Sequence, residues 1–407
     1  MCFRSYGMAV DEGCPFARGN PNCTPLARNM KGMRIMHCIR MYRSGWRFLC
    51  LVAFLAVGPG SVTTAAPNKS LKPSAVKEVD SLACQPGVVS DEISAANEWT
   101  YYVYLPKAFV PTRKWPVLFL MAPGGGKAEG LKRYIEGAEF NGWILALSVQ
   151  SRNGFDKSKE AVLAMVRDVT KRLPVDQSRL YASGFSGGAR MAFWLAKEDK
   201  RLAGVLACGA GGEMGGLQSK VVVYGLCGSN CFNRWDMACA FKASKNKSSR
   251  LRFFVGDHAW AQADLITHAM TCMNSCYLAR PASPTPSLVE EKKALSAKIA
   301  EQIEKNAETD HEQAYEWALC LSLLDASLQS QTRQQELLKQ PKVKLYADGL
   351  KEMDRFVVKH FATSPMDYKN NNGTKAAQRD ATALAEKYKD TGLAPVFTRM
   401  GEPSVMP

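Results

Sequence analysis

Gly184-Phe185-Ser186-Gly187-Gly188 follows the short apolar run Leu180-Tyr181-Ala182-Ser183 and leads into Ala189-Arg190-Met191-Ala192-Phe193-Trp194-Leu195-Ala196. Strand, tight turn and helix in that order is the setting of a nucleophile elbow. Glycines two before and two after the serine remove side chains for which so sharp a turn has no room. The Ser186 hydroxyl then stands at the N-terminus of a helix whose free amides favour developing negative charge. A serine hydroxyl is a weak nucleophile and needs a base. After residue 66 the chain has four histidines, His258, His268, His311 and His360. His258 follows the last expected strand, in Gly256-Asp257-His258-Ala259-Trp260, and suits the chain order serine, acid, histidine. Its expected role is to take the Ser186 proton and return it to the leaving group. A tetrahedral oxyanion needs N–H donors. The expected donors are the amide of Gly187 and that of Gly125, in the run Pro123-Gly124-Gly125-Gly126. Such chemistry calls for no metal or organic cofactor.

The elements that must position these groups alternate from about residue 98. Expected strands are Trp99 to Leu105, Pro116 to Met121, Trp143 to Ser148, the elbow strand, Leu202 to Cys208, Val221 to Leu226 and Leu251 to Val255. Between them lie helical patterns over Ala128 to Phe140, Lys159 to Leu173, the elbow helix and Trp235 to Lys245, and Ala261 to Leu278 follows the last strand. Continuous apolar strands alternating with helices predict an α/β fold, a mostly parallel sheet covered on both faces. Sites in such sheets lie at the carboxyl ends of the strands. The stretch from Pro281 to Ser287 reads as a linker. Beyond it strand signals stop. Leu295, Ile299 and Ile303, then Trp317, Leu321, Leu324 and Leu328, mark helices, with more over Val343 to Phe361 and Thr374 to Lys389. The expected division is a leader over 1–66, an N-terminal linker over 67–97, a catalytic domain over 98–280 and an α-helical region over 288–407. That region packs as a hairpin or small bundle, or receives a protein partner.

Val175-Asp176-Gln177-Ser178-Arg179-Leu180-Tyr181, running into the elbow, together with Gly256-Asp257-His258-Ala259-Trp260, resembles secreted esterases of the α/β-hydrolase superfamily related to polyhydroxybutyrate depolymerases and feruloyl esterases. The resemblance covers roughly residues 98–280. It implies a serine carboxylesterase fold and chemistry, acting on small-molecule or polysaccharide-linked esters. Two departures stand out. Pro123 occupies the place of a histidine frequent before the oxyanion glycines. The family's acid lies after the next-to-last strand, and there Cys231 falls where Asp is expected, within Gly228-Ser229-Asn230-Cys231-Phe232-Asn233. Asp236 is the nearest carboxylate and is the candidate acid. Its spacing from Asn233 equally suits a helix N-cap box. Asp257 abuts His258 and is poorly placed for its ring, and Asn230 offers an uncharged acceptor.

The first 66 residues follow different rules. Met41 to Arg47 is basic, Phe48 to Val57 is an unbroken apolar run, and Thr63-Thr64-Ala65-Ala66 offers small residues for cleavage. This is the layout of a secretory signal peptide, and it is too short to span a bilayer, which needs about 20 residues. It predicts export to the periplasm or beyond; an uncleaved signal anchor is the alternative. The leader holds eight Lys/Arg against two acids, so +9 of the chain's +15 belongs to the remainder. That remainder has no dense Lys/Arg block interleaved with aromatics, which argues against a nucleic-acid partner. Eight cysteines follow the leader, an even number that permits disulfides in an exported chain. Cys227 with Cys231 suggests a small loop, and Cys272 and Cys276 share a helix face. The residues leave three functions open: a serine esterase, a hydrolase fold with a decayed triad that binds carbohydrate or protein, and a peptidase on the same scaffold.

Overall fold

The computed structural model describes residues 84–95, 98–280, 284–362 and 375–404, which form part of one compact unit over residues 73–407. The expected leader and signal peptide and most of the expected N-terminal linker lie outside the described residues. Among the described residues no helix is long and apolar enough to cross a membrane.

Eight strands form one sheet: β1 Ile93–Ser94, β2 Thr100–Tyr104, β3 Trp115–Met121, β4 Ile144–Ser148, β5 Val175–Phe185, β6 Leu202–Cys208, β7 Val222–Gly228 and β8 Arg250–Phe254. Their order across the sheet is β1-β2-β4-β3-β5-β6-β7-β8. β1 and β2 pair antiparallel with their neighbours, and every other pairing is parallel. The run Trp-Pro-Val-Leu-Phe-Leu-Met of β3 is buried along its whole length, as are β4, β6 and β7. Such uninterrupted burial is what continuous apolar strands with helices on both faces produce. β8, Arg-Leu-Arg-Phe-Phe, alternates buried and partly exposed positions at the sheet margin. β1, within the expected linker, is an added edge strand; two residues are too few to leave a period in the sequence.

Strand order dictates where the helices go. α1 (Lys132–Asn141) links β3 to β4, stepping towards β2; α2 (Ser158–Arg172), α3 (Gly187–Glu198) and α4 (Arg234–Ala243) link strands stepping towards β8. Right-handed crossovers in opposite directions place α1 on one face and α2, α3 and α4 on the other. α5 (Ala263–Leu278) then packs on α1.

Among the described residues six helices follow: α6 Pro286–Asn306, α7 His311–Leu324, α8 Leu328–Leu338, α9 Pro341–His360, α10 Lys375–Lys387 and α11 Ala394–Gly401. α7 packs on α5 and α9 on α4, so this region reaches both faces beside β8. Covering that margin protects a strand edge that would otherwise recruit other chains. The expected linker is short, because Thr285 already caps α6 by accepting the Leu288 amide, with Pro286 in the first turn.

A disulfide and a buried ion pair are among the ties that bind the helical region to the rest of the molecule. A disulfide joins Cys272 of α5 to Cys320 of α7. It is the pairing that replaces the two expected from spacing: Cys276 is a free buried thiol, as are Cys227 and Cys231. His268 stands beside this disulfide in the one His/Cys cluster of metal-binding size among the described residues, and there the two sulfurs are bonded to each other. The second tie is Arg179 of β5, 2% exposed, which donates to both oxygens of Glu291 in α6 at 2.7 and 2.5 Å and to Asn274 Oδ1 at 2.8 Å.

Candidate active site

β5 ends at Phe185 and α3 begins at Gly187, so Ser186 makes the turn alone. Its backbone lies at φ 54° and ψ −117°, and it is the one non-glycine residue with positive φ among the described residues. Such a conformation costs on the order of 1–3 kcal/mol and persists only when surroundings enforce it. Here the Ser186 amide donates to Cys208 O at 2.9 Å, while its carbonyl accepts from the amides of Ala189 and Arg190 at 3.1 and 3.2 Å. The glycines are steric necessities. A Cβ on Gly184 would lie 2.5 Å from the Met121 carbonyl oxygen, and one on Gly188 only 2.2 Å from the same atom.

The loop after β8 carries His258 over this turn, with Nε2 2.9 Å from Ser186 Oγ. The ring is held between Phe185 and Phe232, at centroid distances of 4.6 and 4.2 Å. Trp260 packs on Phe185 at 4.9 Å, under the Arg133 guanidinium.

The third group comes from the turn after β7. Cys231 Sγ lies 3.1 Å from His258 Nδ1. This turn is stitched to the His258 loop by Ser229 N donating to Phe254 O at 2.8 Å and Asn230 N to Gly256 O at 2.9 Å. Gly228 is required where they meet, since a Cβ there would lie 2.0 Å from Asp257 O. A hydrogen bond from the Cys227 thiol, with further help from His258 and the Asn233 amide, holds the Cys231 thiol well below its ordinary range despite burial. Cys227 is pushed the other way, by burial and then by its bond to Cys231.

A hydroxyl on a sharp turn after β5, a third group after β7 and an imidazole after β8 thus meet at the carboxyl ends of a mostly parallel eight-stranded sheet. The fold is that of an α/β-hydrolase. No family model matches the sequence, and no curated protein matches it. Among solved structures, the chain is similar to an S-formylglutathione hydrolase from Staphylococcus aureus at 12% identity, with TM-score 0.38 over 47% of this chain and 99% of that one. It is similar to Est1E from Butyrivibrio proteoclasticus at 13% identity and TM-score 0.36, over 44% and 96%. An acetyl xylan esterase from Aspergillus awamori matches at 13% identity and TM-score 0.31, over 39% and 80%. At such levels of likeness, the chain's own strand order and elbow geometry carry the fold assignment.

Of the residues expected at the site, Ser186, His258 and Gly187 are brought together. Asp236 is not. It lies in the first turn of α4, where its carboxylate accepts from Arg190 Nη2 at 2.9 Å, and the atom on His258 Nδ1 is a sulfur. Helix α4 starts at Arg234, so three residues after Cys231 the chain is already coiling. Asn233 occupies the N-cap position without capping; its side chain donates to Gly209 O at 3.0 Å and accepts from Arg190 at 3.3 Å. Asn230 is likewise engaged elsewhere, accepting from Arg234 at 3.3 Å.

Gly125 also departs from expectation. Its amide donates into its own turn, to Ala122 O at 3.2 Å, with φ at +89°. Gly187 opens α3, where first-turn amides have no intrahelical acceptor, and remains a donor. A residue with no advance signal borders it: the Asn153 side chain lies against Gly187, 1.7 Å from where a Cβ would be, and the Asn153 amide ties its loop to Pro123 O at 2.8 Å. Only glycine at 187 permits that approach, which is invisible when 34 residues separate the two in sequence.

Proposed function

We propose that the protein is an exported serine hydrolase of carboxylic esters that works through an acyl-Ser186 intermediate. One observation carries the reading: a hydroxyl forced to positive φ on an elbow, 2.9 Å from an imidazole nitrogen. In the proposed cycle His258 Nε2 takes the Ser186 proton as Oγ attacks the ester carbonyl carbon. The oxyanion forms against the amides that open α3, chiefly Gly187. Collapse breaks the acyl–oxygen bond, and His258 returns the proton to the departing alcohol. Water repeats the sequence on the acyl-enzyme. The half-buried aromatic faces of Phe232 and Trp260 near His258 offer a wall for the alcohol portion, which agrees with the polysaccharide-linked esters that the sequence resemblance implies. The expected signal peptide supports export, and the Cys272–Cys320 disulfide fits an oxidising compartment.

Purified protein should turn over p-nitrophenyl acetate and react with a fluorophosphonate probe, and Ser186→Ala should abolish both. Folded wild-type protein that does neither sinks the esterase reading. That outcome would favour a module that binds carbohydrate or protein, a reading that draws on the missing carboxylate at position 231.

A further inference from the structure

Resting on the serine-hydrolase reading, we propose that Cys231 replaces the triad carboxylate as a thiolate, accepting the Nδ1 proton of His258 and fixing the ring in the tautomer whose Nε2 is free to take the Ser186 proton. The surroundings of its sulfur argue for this charge state. Cys231 Sγ lies 3.1 Å from His258 Nδ1 and accepts the Asn233 amide at 3.4 Å. The neighbouring Cys227 thiol of β7 further favours the charged form. Besides Nδ1 itself, the acceptor within reach of a Cys231 S–H is Gly209 O at 3.7 Å, a carbonyl that already receives Asn233 Nδ2 at 3.0 Å. A thiol would therefore have a long, shared acceptor at Gly209 O, or would take Nδ1 as its acceptor and leave the ring in the wrong tautomer. A thiolate accepts from both N–H donors and is favoured by the adjacent thiol.

The groups around the pair are few. Cys227 from β7 keeps its proton because burial disfavours its ionisation, so its S–H remains available to donate. Cys208 at the end of β6 is pushed up to about 12 by burial. Arg234 of α4 directs its guanidinium to Ser229 O, Asn230 Oδ1 and Glu402 O. Asp257 of the His258 loop is drawn away to Arg399.

The ionisation decides the chemistry. A protonated Cys231 would donate to Nδ1, put the imidazole proton on Nε2 and leave nothing to accept from Ser186 Oγ. With the thiolate in place, Nδ1–H points to sulfur and the Ser186 proton moves to Nε2. The imidazolium formed then sits beside a negative charge, and its Nε2 proton passes to the leaving alkoxide. The sulfur takes up no proton, so it is a positioning group. The wrong tautomer in a comparable triad lowers turnover by about 10⁴.

The test uses the full chain, with the Cys227 and Cys231 thiols counted by alkylation after denaturation. Cys231→Ser should lower kcat for p-nitrophenyl acetate by about 10³- to 10⁴-fold with little change in KM, and Cys231→Asp should recover most of the loss. Cys227→Ala should move the acid limb of kcat to higher pH by about one to two units, the worth of one hydrogen bond to a charged group. Thiolate absorbance, compared between wild type and Cys231→Ser, should be present at neutral pH, a readout independent of turnover and of protein stability. Wild-type kcat and pH profile in Cys231→Ser, absorbance showing a protonated Cys231 at neutral pH, or an active enzyme carrying a Cys227–Cys231 disulfide would each overturn the proposal. Loss of the esterase reading itself would show separately, as wild-type protein lacking Ser186-dependent turnover.

Discussion

Two turns build the site, and they are held in different ways. The elbow after β5 is fixed by its immediate neighbours: Gly184 and Gly188 close against the Met121 carbonyl, and Ser186 bonds to Cys208. The turn after β7 leans on the far end of the chain. Arg234, with none of its surface exposed, grips Ser229 O at 3.0 Å, then reaches Glu402 O at 3.0 Å and stacks on Phe361 at 4.6 Å. Arg399 of α11 reaches Asp257, next to His258, at 2.6 Å. The nucleophile is thus positioned by the sheet. Its two partners are also positioned by the helices that follow it, which gives that region a bearing on chemistry from a distance.

The contrast can be broken from either side, with the rate of fluorophosphonate labelling at Ser186 as a common readout. Gly188→Ala should do most, because its Cβ must displace strand backbone: labelling should slow by at least about 10²-fold, with a stability loss of about 1–3 kcal/mol by thermal unfolding. Unchanged labelling would mean the elbow tolerates movement. Arg234→Met keeps the bulk but leaves buried carbonyls without a donor, so labelling should slow by roughly tenfold, equivalent to about 1.4 kcal/mol. If Arg234→Met left labelling untouched, the helical region would be packing alone. Arg399→Ala removes a partly exposed ion pair, and an effect of about threefold or less is expected, shrinking further in high salt.

This difference also governs what the sequence could disclose. The elbow was legible because its requirements are local: glycine, serine and glycine at fixed spacing between an apolar strand and a helix. His258 was legible because few histidines compete and the last strand ends just before it. The third group was half legible. Its position along the chain pointed to Cys231, yet the nearest carboxylate in sequence, Asp236, is carried off by the first turn of α4 to meet Arg190. Helical phase decides that, and phase depends on where the helix starts. The direction of the Gly125 amide was not legible, because a glycine run reveals a tight turn without revealing which way each N–H points. Cys272 pairs with a cysteine 48 residues away rather than the one on its own helix face, since only packing of α7 on α5 supplies the partner.

Ser186 carries a last implication. It is held in a conformation that glycine adopts freely, and the molecule keeps it there at the expense of its own robustness. Ser186→Gly should therefore be more stable than Ser186→Ala by thermal unfolding, by on the order of 1 kcal/mol after allowing for the looser unfolded chain of glycine. Inertness and durability would then arrive together, and selection for a hardier protein alone would erode the hydroxyl first.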